Sequence, residues 1–221
     1  MDMKKVIAIN GSPRKSGNTA TLLQKALEGA CSNEAQIEII HLYDLSYKGC
    51  VSCFSCKQKN SKHLGICTMK DELTPILYKI MNCNTLILGS PIYFSDVTGE
   101  MRSFLERLLF MNLSYEKLSS DGRGGSNFKG QIDTGFIFTM NVNQEQATFL
   151  RYNRIFEGLQ SLQRLLNGKW EYMMSYDTYQ FKDYSKYAVE IFDEAKKRKV
   201  RKEQFPVDAQ KAFEMGKRLS K

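Results

Sequence analysis

The sequence predicts an α/β fold with a doubly wound, five-stranded parallel sheet of strand order 2-1-3-4-5. Short apolar runs alternate with amphipathic segments along most of the 221-residue chain. The runs have few polar positions, which is typical of strands that helices cover on both faces. Ligands of such sheets bind beyond the carboxyl ends of the central strands, so we expect a site after strands one, three and four.

Five strands are predicted in KVIAI (5–9), QIEIIHL (36–42), NTLILGSPIYF (84–94), DTGFIFTM (133–140) and KWEYMMSY (169–176). Apolar residues at helical spacing predict helices over 19–30, 71–81, 98–111 and 144–167, and in a tail that is broken around Pro206. Residues 113–131 predict a mobile loop, since they are rich in Ser and Gly. We expect one domain over 1–221, with a cysteine-rich insertion at 43–70 and a helical tail at 186–221.

The composition is that of an ordinary globular protein, with 42% hydrophobic and 25% charged residues. No apolar run approaches the roughly 20 residues of a membrane span, and the first residues do not form a signal peptide. We therefore expect a cytoplasmic protein without a membrane partner. The net charge is +8, and much of this excess comes from six cations in the run KKRKVRK, Lys196 to Lys202. We interpret this run as a solvated helix face and expect no nucleic-acid partner; a nucleic-acid-binding regulator is the alternative.

The loop GSPRKSGNT follows the first strand and precedes the first helix. It matches neither the Walker A motif nor G-x-G-x-x-G, so nucleoside-triphosphate hydrolysis has no candidate lysine here. It offers hydroxyls of Ser12, Ser16 and Thr19, the amide of Asn18 and the guanidinium of Arg14. Together with the free N–H groups of a helix N-terminus, this set suits a phosphate monoester that is held without a metal.

The third strand ends in SPIYFSDVTGE, an apolar and aromatic loop that suits a flat ring. A phosphate site and a planar heteroaromatic ring side by side indicate FMN. The segments AINGSPRKSGNTATLL and ILGSPIYFSDVTGEMRSFLER resemble the two flavin-binding segments of the flavodoxin-like NADPH-dependent FMN reductases, and within that group they are most similar to the iron–sulfur flavoproteins. The resemblance covers residues 4–110 and continues more loosely beyond them.

This resemblance implies two sets of FMN contacts. The phosphate would be held by Ser12, Arg14, Ser16, Asn18 and Thr19. The isoalloxazine would lie near Pro91, Ile92, Tyr93, Phe94, Ser95 and Thr98. The loop after the fourth strand would flank the ring, where this chain has Thr139 and Met140 instead of the glycine-rich stretch that is common in the family.

Four of the six cysteines form the pattern C-x2-C-x2-C-x10-C, which comprises Cys50, Cys53, Cys56 and Cys67. The first three match the spacing that surrounds a [4Fe–4S] cluster, although the last gap is longer than in the similar flavoproteins. Zinc and uncomplexed thiols remain alternatives. We expect the four thiols to approach one another, with Gly65 easing the return turn, and a cluster to lie near the flavin edge. Cys31 and Cys83 are interpreted as packing residues.

The resulting hypothesis is an FMN oxidoreductase that takes electrons from NAD(P)H. Its acceptor would be a small molecule such as a quinone or a flavin, a redox protein, or the cluster. No side-chain acid or base is needed, because the flavin carries the chemistry. We expect a homo-oligomer, a dimer or a tetramer. The alternative is a flavodoxin-like electron carrier without a substrate, although such carriers are typically acidic and this chain has a pI near 9.1.

Overall fold

The structure of the protein, a computed structural model, describes residues 3–120 and 122–221. Five parallel strands form the main sheet in the order β2-β1-β3-β6-β7. They are β1 Lys5–Asn10, β2 Gln36–His41, β3 Thr85–Pro91, β6 Ile132–Thr139 and β7 Asn167–Ser175. The predicted fold is confirmed, because β6 and β7 are the fourth and fifth strands expected from the sequence.

Helices cover both faces of this sheet. They are α1 Asn18–Cys31, α2 Leu73–Ile80, α3 Gly99–Asn112, α4 Gln144–Phe149, α5 Asn153–Leu159, α6 Ser161–Leu166 and α7 Glu194–Leu219. Successive side chains of a strand point to opposite faces. In β1, Val6 and Ala8 therefore pack with α1 and α7, whereas Ile7 and Ile9 pack with α2 and α3.

Two glycines allow α1 and α7 to cross in close contact. A Cβ atom at Gly29 would lie 1.9 Å from the carbonyl oxygen of Phe213, and one at Gly216 would lie 1.8 Å from that of Ala26. Both distances are far shorter than a van der Waals contact. The C-terminal helix is thereby fixed against the helix that follows the first loop.

The predicted mobile loop at 113–131 is instead a small antiparallel hairpin of β4 Leu113–Leu118 and β5 Gly124–Ser126. The Ser126 hydroxyl donates to the carbonyl of Leu165 at 2.7 Å, which ties the hairpin to α6. Asp121 lies outside the described residues. Local composition indicated a mobile loop, whereas the described residues of β4 and β5 pair as strands and contact α6.

The single long helix predicted over 144–167 is divided into α4, α5 and α6. Arg151 has a left-handed backbone with φ of 56°, which ends α4. The break redirects the chain so that Tyr152 and Phe156 are buried, while Phe149 remains 86% exposed. The apolar period in the sequence is real, but packing on the sheet requires a change of direction.

The tail differs from its prediction at its start and at Pro206. Helix α7 begins at Glu194, where the carboxylate of Asp193 accepts a hydrogen bond from the N–H of Lys196 at 3.1 Å. It then continues through Pro206, although a proline inside a helix costs about 3 kcal/mol. Burial of the Phe205 side chain in the core offsets this cost. In the part of the chain that the structure describes, no helix has the length and apolarity that a membrane crossing requires.

Candidate functional site

The first, third and fourth strands of the sheet end at one edge, as the sequence predicts. Asn10, Pro91 and Thr139 are their last residues, and Pro91 lies in register with Thr139. The N–H of Ile92 donates to the carbonyl of Thr139 at 2.9 Å, which keeps the two outgoing loops together. The side chains of Pro91 and Ile92 are half-buried.

The first loop leads into α1, whose cap residue is Gly17. No side chain therefore caps the first N–H groups of this helix, and no acidic residue lies in its first turn. Ser12 is buried, and its hydroxyl accepts a hydrogen bond from the N–H of Arg14 at 3.2 Å, so its own proton is left as a donor. Ser16 is exposed on the same loop. Uncapped N–H groups at the positive end of a helix dipole attract an anion.

Thr98 joins the two loops from inside. Its hydroxyl donates to the carbonyl of Gly11 at 2.7 Å and accepts from the N–H of Met101 at 3.3 Å, which caps α3. Its own N–H donates to the hydroxyl of Ser90 at 3.1 Å. The resemblance implies that Thr98 lies near the isoalloxazine, and this stays a prediction; its fully buried side chain holds the two loops in position.

A tight turn presents the predicted aromatic residues. The backbone of Tyr93 pairs with that of Asp96 through hydrogen bonds of 2.8 and 3.0 Å. Phe94 and Ser95 between them have φ of 48° and 63°, the pattern of a type I′ turn. The ring of Phe94 is fully exposed and that of Tyr93 is partly exposed. An ion pair between Asp96 and Arg102 supports the base of the turn.

The fourth-strand residues are buried behind this edge. The hydroxyl of Thr139 lies 2.8 Å from that of Thr19, which links β6 to the first turn of α1. Met140 is buried as well; its N–H donates to the carbonyl of Ser175 at 3.0 Å, and its carbonyl accepts from Thr178 at 3.0 Å. Both side chains are buried at the end of β6.

The segment after β7 reaches the first loop, which sequence reasoning missed. The side-chain amide of Asn18 donates to the carbonyl of Tyr179 at 3.0 Å, and the guanidinium of Arg14 donates to that of Gln180 at 2.6 Å. Arg201 of α7 donates to the side-chain oxygen of Asn18 at 3.0 Å. These partners are more than 160 positions apart, so no local sequence signal could have connected them.

The four clustered cysteines line one cavity. Cys50, Cys53, Cys56 and Cys67 all contribute to its wall. Gly65 has φ of 76° and donates its N–H to the carbonyl of Cys56 at 2.9 Å. This turn returns the ten-residue gap to the first three cysteines.

Arg107 is the residue beside the cysteines that sequence reasoning missed. It is almost fully buried on α3 and lines the same cavity. It donates to the carbonyl of Lys48 at 3.1 Å and to the hydroxyl of Thr74 at 2.7 Å, and it pairs with Asp71. Burial alone would lower its pKa, but hydrogen bonds to Asp71 and Cys67 outweigh burial and the pKa is raised. Its place in the apolar stripe of α3, three residues after Phe104, was the available signal.

A second cation, Lys57, lies beside the cysteines. Its ammonium donates to the carbonyl of Leu113 at 2.6 Å and lies 4.6 Å from the ring centroid of Phe110. Burial lowers the pKa of Lys57 and raises that of the neighbouring Cys56. A hydrogen bond from the backbone of Ser55 instead lowers the pKa of Cys53, which is exposed.

Within residues 3–120 and 122–221, no three His, Cys, Asp or Glu side chains stand ready to hold a metal ion. The cysteines share a cavity, so ligation would require their thiols to turn toward a common centre. That this cavity lies near the flavin edge stays a prediction. Arg107 follows Thr98 by nine positions along α3, which corresponds to roughly 14 Å at 1.5 Å per residue.

The two remaining cysteines differ from each other. Cys83 is buried, as predicted for a packing residue, and burial raises its pKa to about 12. Cys31 is exposed at the end of α1, so its interpretation as a packing residue was wrong.

Comparison with known proteins gives consistent results. The family model described as NADPH-dependent FMN reductase matches residues 4–130. An iron–sulfur flavoprotein of Methanocaldococcus jannaschii is 33% identical over 134 residues, which are 59% of this chain and 67% of that protein. One of Archaeoglobus fulgidus is 36% identical over 103 residues, or 47% of this chain and 48% of that protein. The chain thus spans about half the length of the second relative.

Solved structures share the fold over nearly the whole chain. An NAD(P)H:quinone oxidoreductase from Methanothermobacter marburgensis has a TM-score of 0.70 at 13% identity and covers 99% of this chain and 100% of its own. An FMN-dependent NADH-azoreductase from Bacillus anthracis, solved with FMN, has a TM-score of 0.64 at 13% identity. The match covers 99% of this chain and 100% of the azoreductase chain. The family match spans more than half of the sequence and contains both flavin loops. The chain belongs to the NADPH-dependent FMN reductase family.

Proposed function

We propose that this protein is an FMN-dependent oxidoreductase that takes a hydride from NAD(P)H and reduces a small acceptor, such as a quinone or a flavin. The observation that carries the proposal is the uncapped N-terminus of α1 at the sheet edge where the Ser12 loop and the Tyr93 turn meet. The family membership supports FMN as the cofactor.

The phosphate side of the site fits a monoester. Hydrogen bonds to charged groups are worth about 1.5–3 kcal/mol each. The hydroxyl of Ser12 and the first N–H groups of α1 are suitable donors, and the guanidinium of Arg14 adds positive charge. We assign the phosphate to these groups together with Ser16, Asn18 and Thr19. These donors converge on one helix N-terminus, which matches a terminal monoester, so FMN should bind in preference to FAD.

The ring side of the site is built from rigid backbone. The exposed rings of Tyr93 and Phe94 can cover one face of a flat heterocycle, while Thr139 and Met140 support the edge from below. When bound, FMN supplies the redox chemistry by accepting a hydride and passing on two electrons. The protein's part is to hold and orient the ring and to limit its contact with water.

Flavin titration followed by anaerobic stopped-flow mixing tests this proposal. Purified protein should quench FMN fluorescence at lower concentration than FAD fluorescence. Mixing the complex with NADPH or NADH should bleach the flavin absorbance, and a quinone should restore it. The cations around the first loop favour NADPH through its additional phosphate.

Two results would contradict the proposal. Equal affinity for FMN and FAD would remove the phosphate assignment. A complex that binds FMN but is reduced by neither nucleotide would be an electron carrier, the alternative stated above.

We further propose that the cysteine cavity holds a [4Fe–4S] cluster in the reduced cell interior. Four thiolates are the ligands that such a cluster needs. The buried guanidinium of Arg107 and the ammonium of Lys57 would balance its negative charge, which supports the assignment over an empty apolar cavity. Iron–sulfur flavoproteins among the relatives agree with it. Uncomplexed thiols are the competing interpretation.

A homo-oligomer is proposed on the basis of exposed apolar side chains. Phe94, Phe149 and Ile191 are each at least 86% exposed. Large apolar groups at a surface often mark an interface. Light scattering at micromolar concentration should give the mass of a dimer or a tetramer, and a monomeric mass would contradict this assignment.

A further inference from the structure

The cationic run on α7 is not uniformly solvated. Four of its six cations have a carboxylate partner: Lys196 with Asp193 at 4.0 Å, Lys197 with Asp177 at 2.6 Å, Arg198 with Glu194 at 2.5 Å and Lys199 with Glu203 at 3.9 Å. Across the described residues, Arg201 and Lys202 form no ion pair. These two cations therefore carry charge that the protein itself does not neutralise.

Arg201 is directed at the phosphate loop. It donates one hydrogen bond, 3.0 Å long, to the side-chain oxygen of Asn18, the first residue of α1. Its guanidinium carbon lies 4.1 Å from the ring centroid of Phe205, and this stacking restricts its orientation. A guanidinium has five N–H donors, so most of those on Arg201 are available to a ligand.

The segment after β7 is fixed to the same loop. Asn18 and Arg14 donate to the carbonyls of Tyr179 and Gln180 at 3.0 and 2.6 Å. The glycine-mediated crossing of α7 on α1 anchors the helix further along. Two arginines, Arg14 and Arg201, thus approach the uncapped end of α1 from opposite ends of the sequence.

We propose that Arg201 is a phosphate-binding residue for FMN, supplied by the C-terminal helix across the mouth of the first loop. The proposal rests on the FMN-dependent function proposed above and adds a ligand from outside residues 4–130. A phosphate monoester carries a charge of about −1.5 to −2 at pH 7, which a second guanidinium can bind through paired hydrogen bonds. The hydrogen bond that Arg201 donates to the side-chain oxygen of Asn18 keeps its guanidinium in place before the phosphate arrives.

Riboflavin provides the decisive probe, because it has the ring of FMN without the phosphate. In fluorescence titrations, Arg201→Gln should raise the Kd of FMN about tenfold, equivalent to ~1.4 kcal/mol, and leave the Kd of riboflavin unchanged. Lys202→Gln removes the same charge from the next position and should leave both constants unchanged. Arg201→Lys should lose less affinity than Arg201→Gln, since it keeps the charge without the planar fork.

Each other outcome has a definite meaning. If Arg201→Gln weakens FMN and riboflavin equally, Arg201 acts on the fold of the site and the proposal is overturned. An equal loss in Lys202→Gln, or wild-type affinity in Arg201→Gln, overturns it too. If the wild-type protein binds neither flavin, it is the proposed function that fails. Thermal unfolding of each variant shows that the helix is intact.

Discussion

The guanidinium of Arg107 forms an ion pair with the carboxylate of Asp71 where the arginine side chain is fully enclosed and the aspartate is 15% exposed. The pair joins the middle of α3 to the residues that precede α2. Asp71 follows Cys67 closely in the chain, so the contact also fixes the end of the cysteine segment. Removing either partner leaves the other charge without its partner inside the protein.

We predict that Arg107→Met lowers the free energy of unfolding by about 3 kcal/mol, the lower part of the range for breaking a buried pair. Urea denaturation measures this change. The pair of Lys79 with Glu38 is half-exposed, so Lys79→Met should cost less than about 1 kcal/mol. Similar losses in the two variants would mean that burial does not distinguish these pairs.

Stability should fall in acid through Asp71. Burial alone would raise its pKa, but the hydrogen bond and charge of Arg107 outweigh burial and hold the pKa below its usual range. When folding lowers the pKa of a carboxyl, that group stabilises the protein at pH values above its unfolded pKa, which is about 3.9 for aspartate. This contribution is lost as the pH falls through the lower pKa of the folded state. The difference in unfolding free energy between wild type and Asp71→Asn should therefore shrink below about pH 4. If the difference in unfolding free energy between wild type and Asp71→Asn stayed constant from pH 7 to below about pH 4, this result would argue against the ion pair.

Anaerobic iron and sulfide analysis tests the cysteine cavity. Wild-type protein should contain about four of each per chain, as the cluster formula requires. Cys53→Ser should lose them, whereas Cys31→Ser should keep them, because Cys31 is exposed and does not line the cavity. Anaerobic wild type that is saturated with FMN but free of iron would show that the four thiols remain uncomplexed.

Thr98→Val should weaken both the fold and FMN binding. The change removes the hydroxyl that caps α3 and bonds to the carbonyl of Gly11, at a cost of about 2 kcal/mol. Thr98→Ser keeps the hydroxyl and should recover most of the loss. In Thr148→Val the lost hydrogen bond lies on the exposed helix α4, and the change should stay within about 0.5 kcal/mol. Calorimetry and flavin titration report the two effects separately.

Gly216→Ala should destabilise the protein severely, because the new Cβ would lie 1.8 Å from the carbonyl oxygen of Ala26. Helix α7 would then have to move away from α1. Gly158 is also helical but has nothing within 4 Å of the Cβ position, so Gly158→Ala should be neutral or slightly stabilising. The unfolding temperatures of the two variants measure the two effects separately: Gly216→Ala reports the steric clash between α7 and α1, and Gly158→Ala reports helix propensity alone.

Local features of the sequence were sufficient to predict the sheet and to place two loops at its carboxyl edge. A buried strand is marked by its own apolar run, as in Val6 to Ile9, and a phosphate loop by hydroxyls and glycines within about ten positions. The return turn at Gly65 was also predictable, because glycine adopts a positive φ at no steric cost. These signals depend on residues that are close together in the chain.

Other features were decided by contacts between distant segments. The break at Arg151 and the continuation of α7 through Pro206 depend on which side chains the sheet can bury. The position of the cysteine cavity depends on Arg107 and its partner Asp71.

The sequence by itself determined the fold and the family, because periodicity and motifs are local properties of the chain. Only the tertiary structure decided which cations of the α7 run have a carboxylate partner. Lys197 and Arg201 belong to the same run, yet one is buried against Asp177 and the other reaches Asn18. The physical reason is that the free energy of a charge depends on its solvation and on partners from anywhere in the chain, which residue type and spacing do not specify.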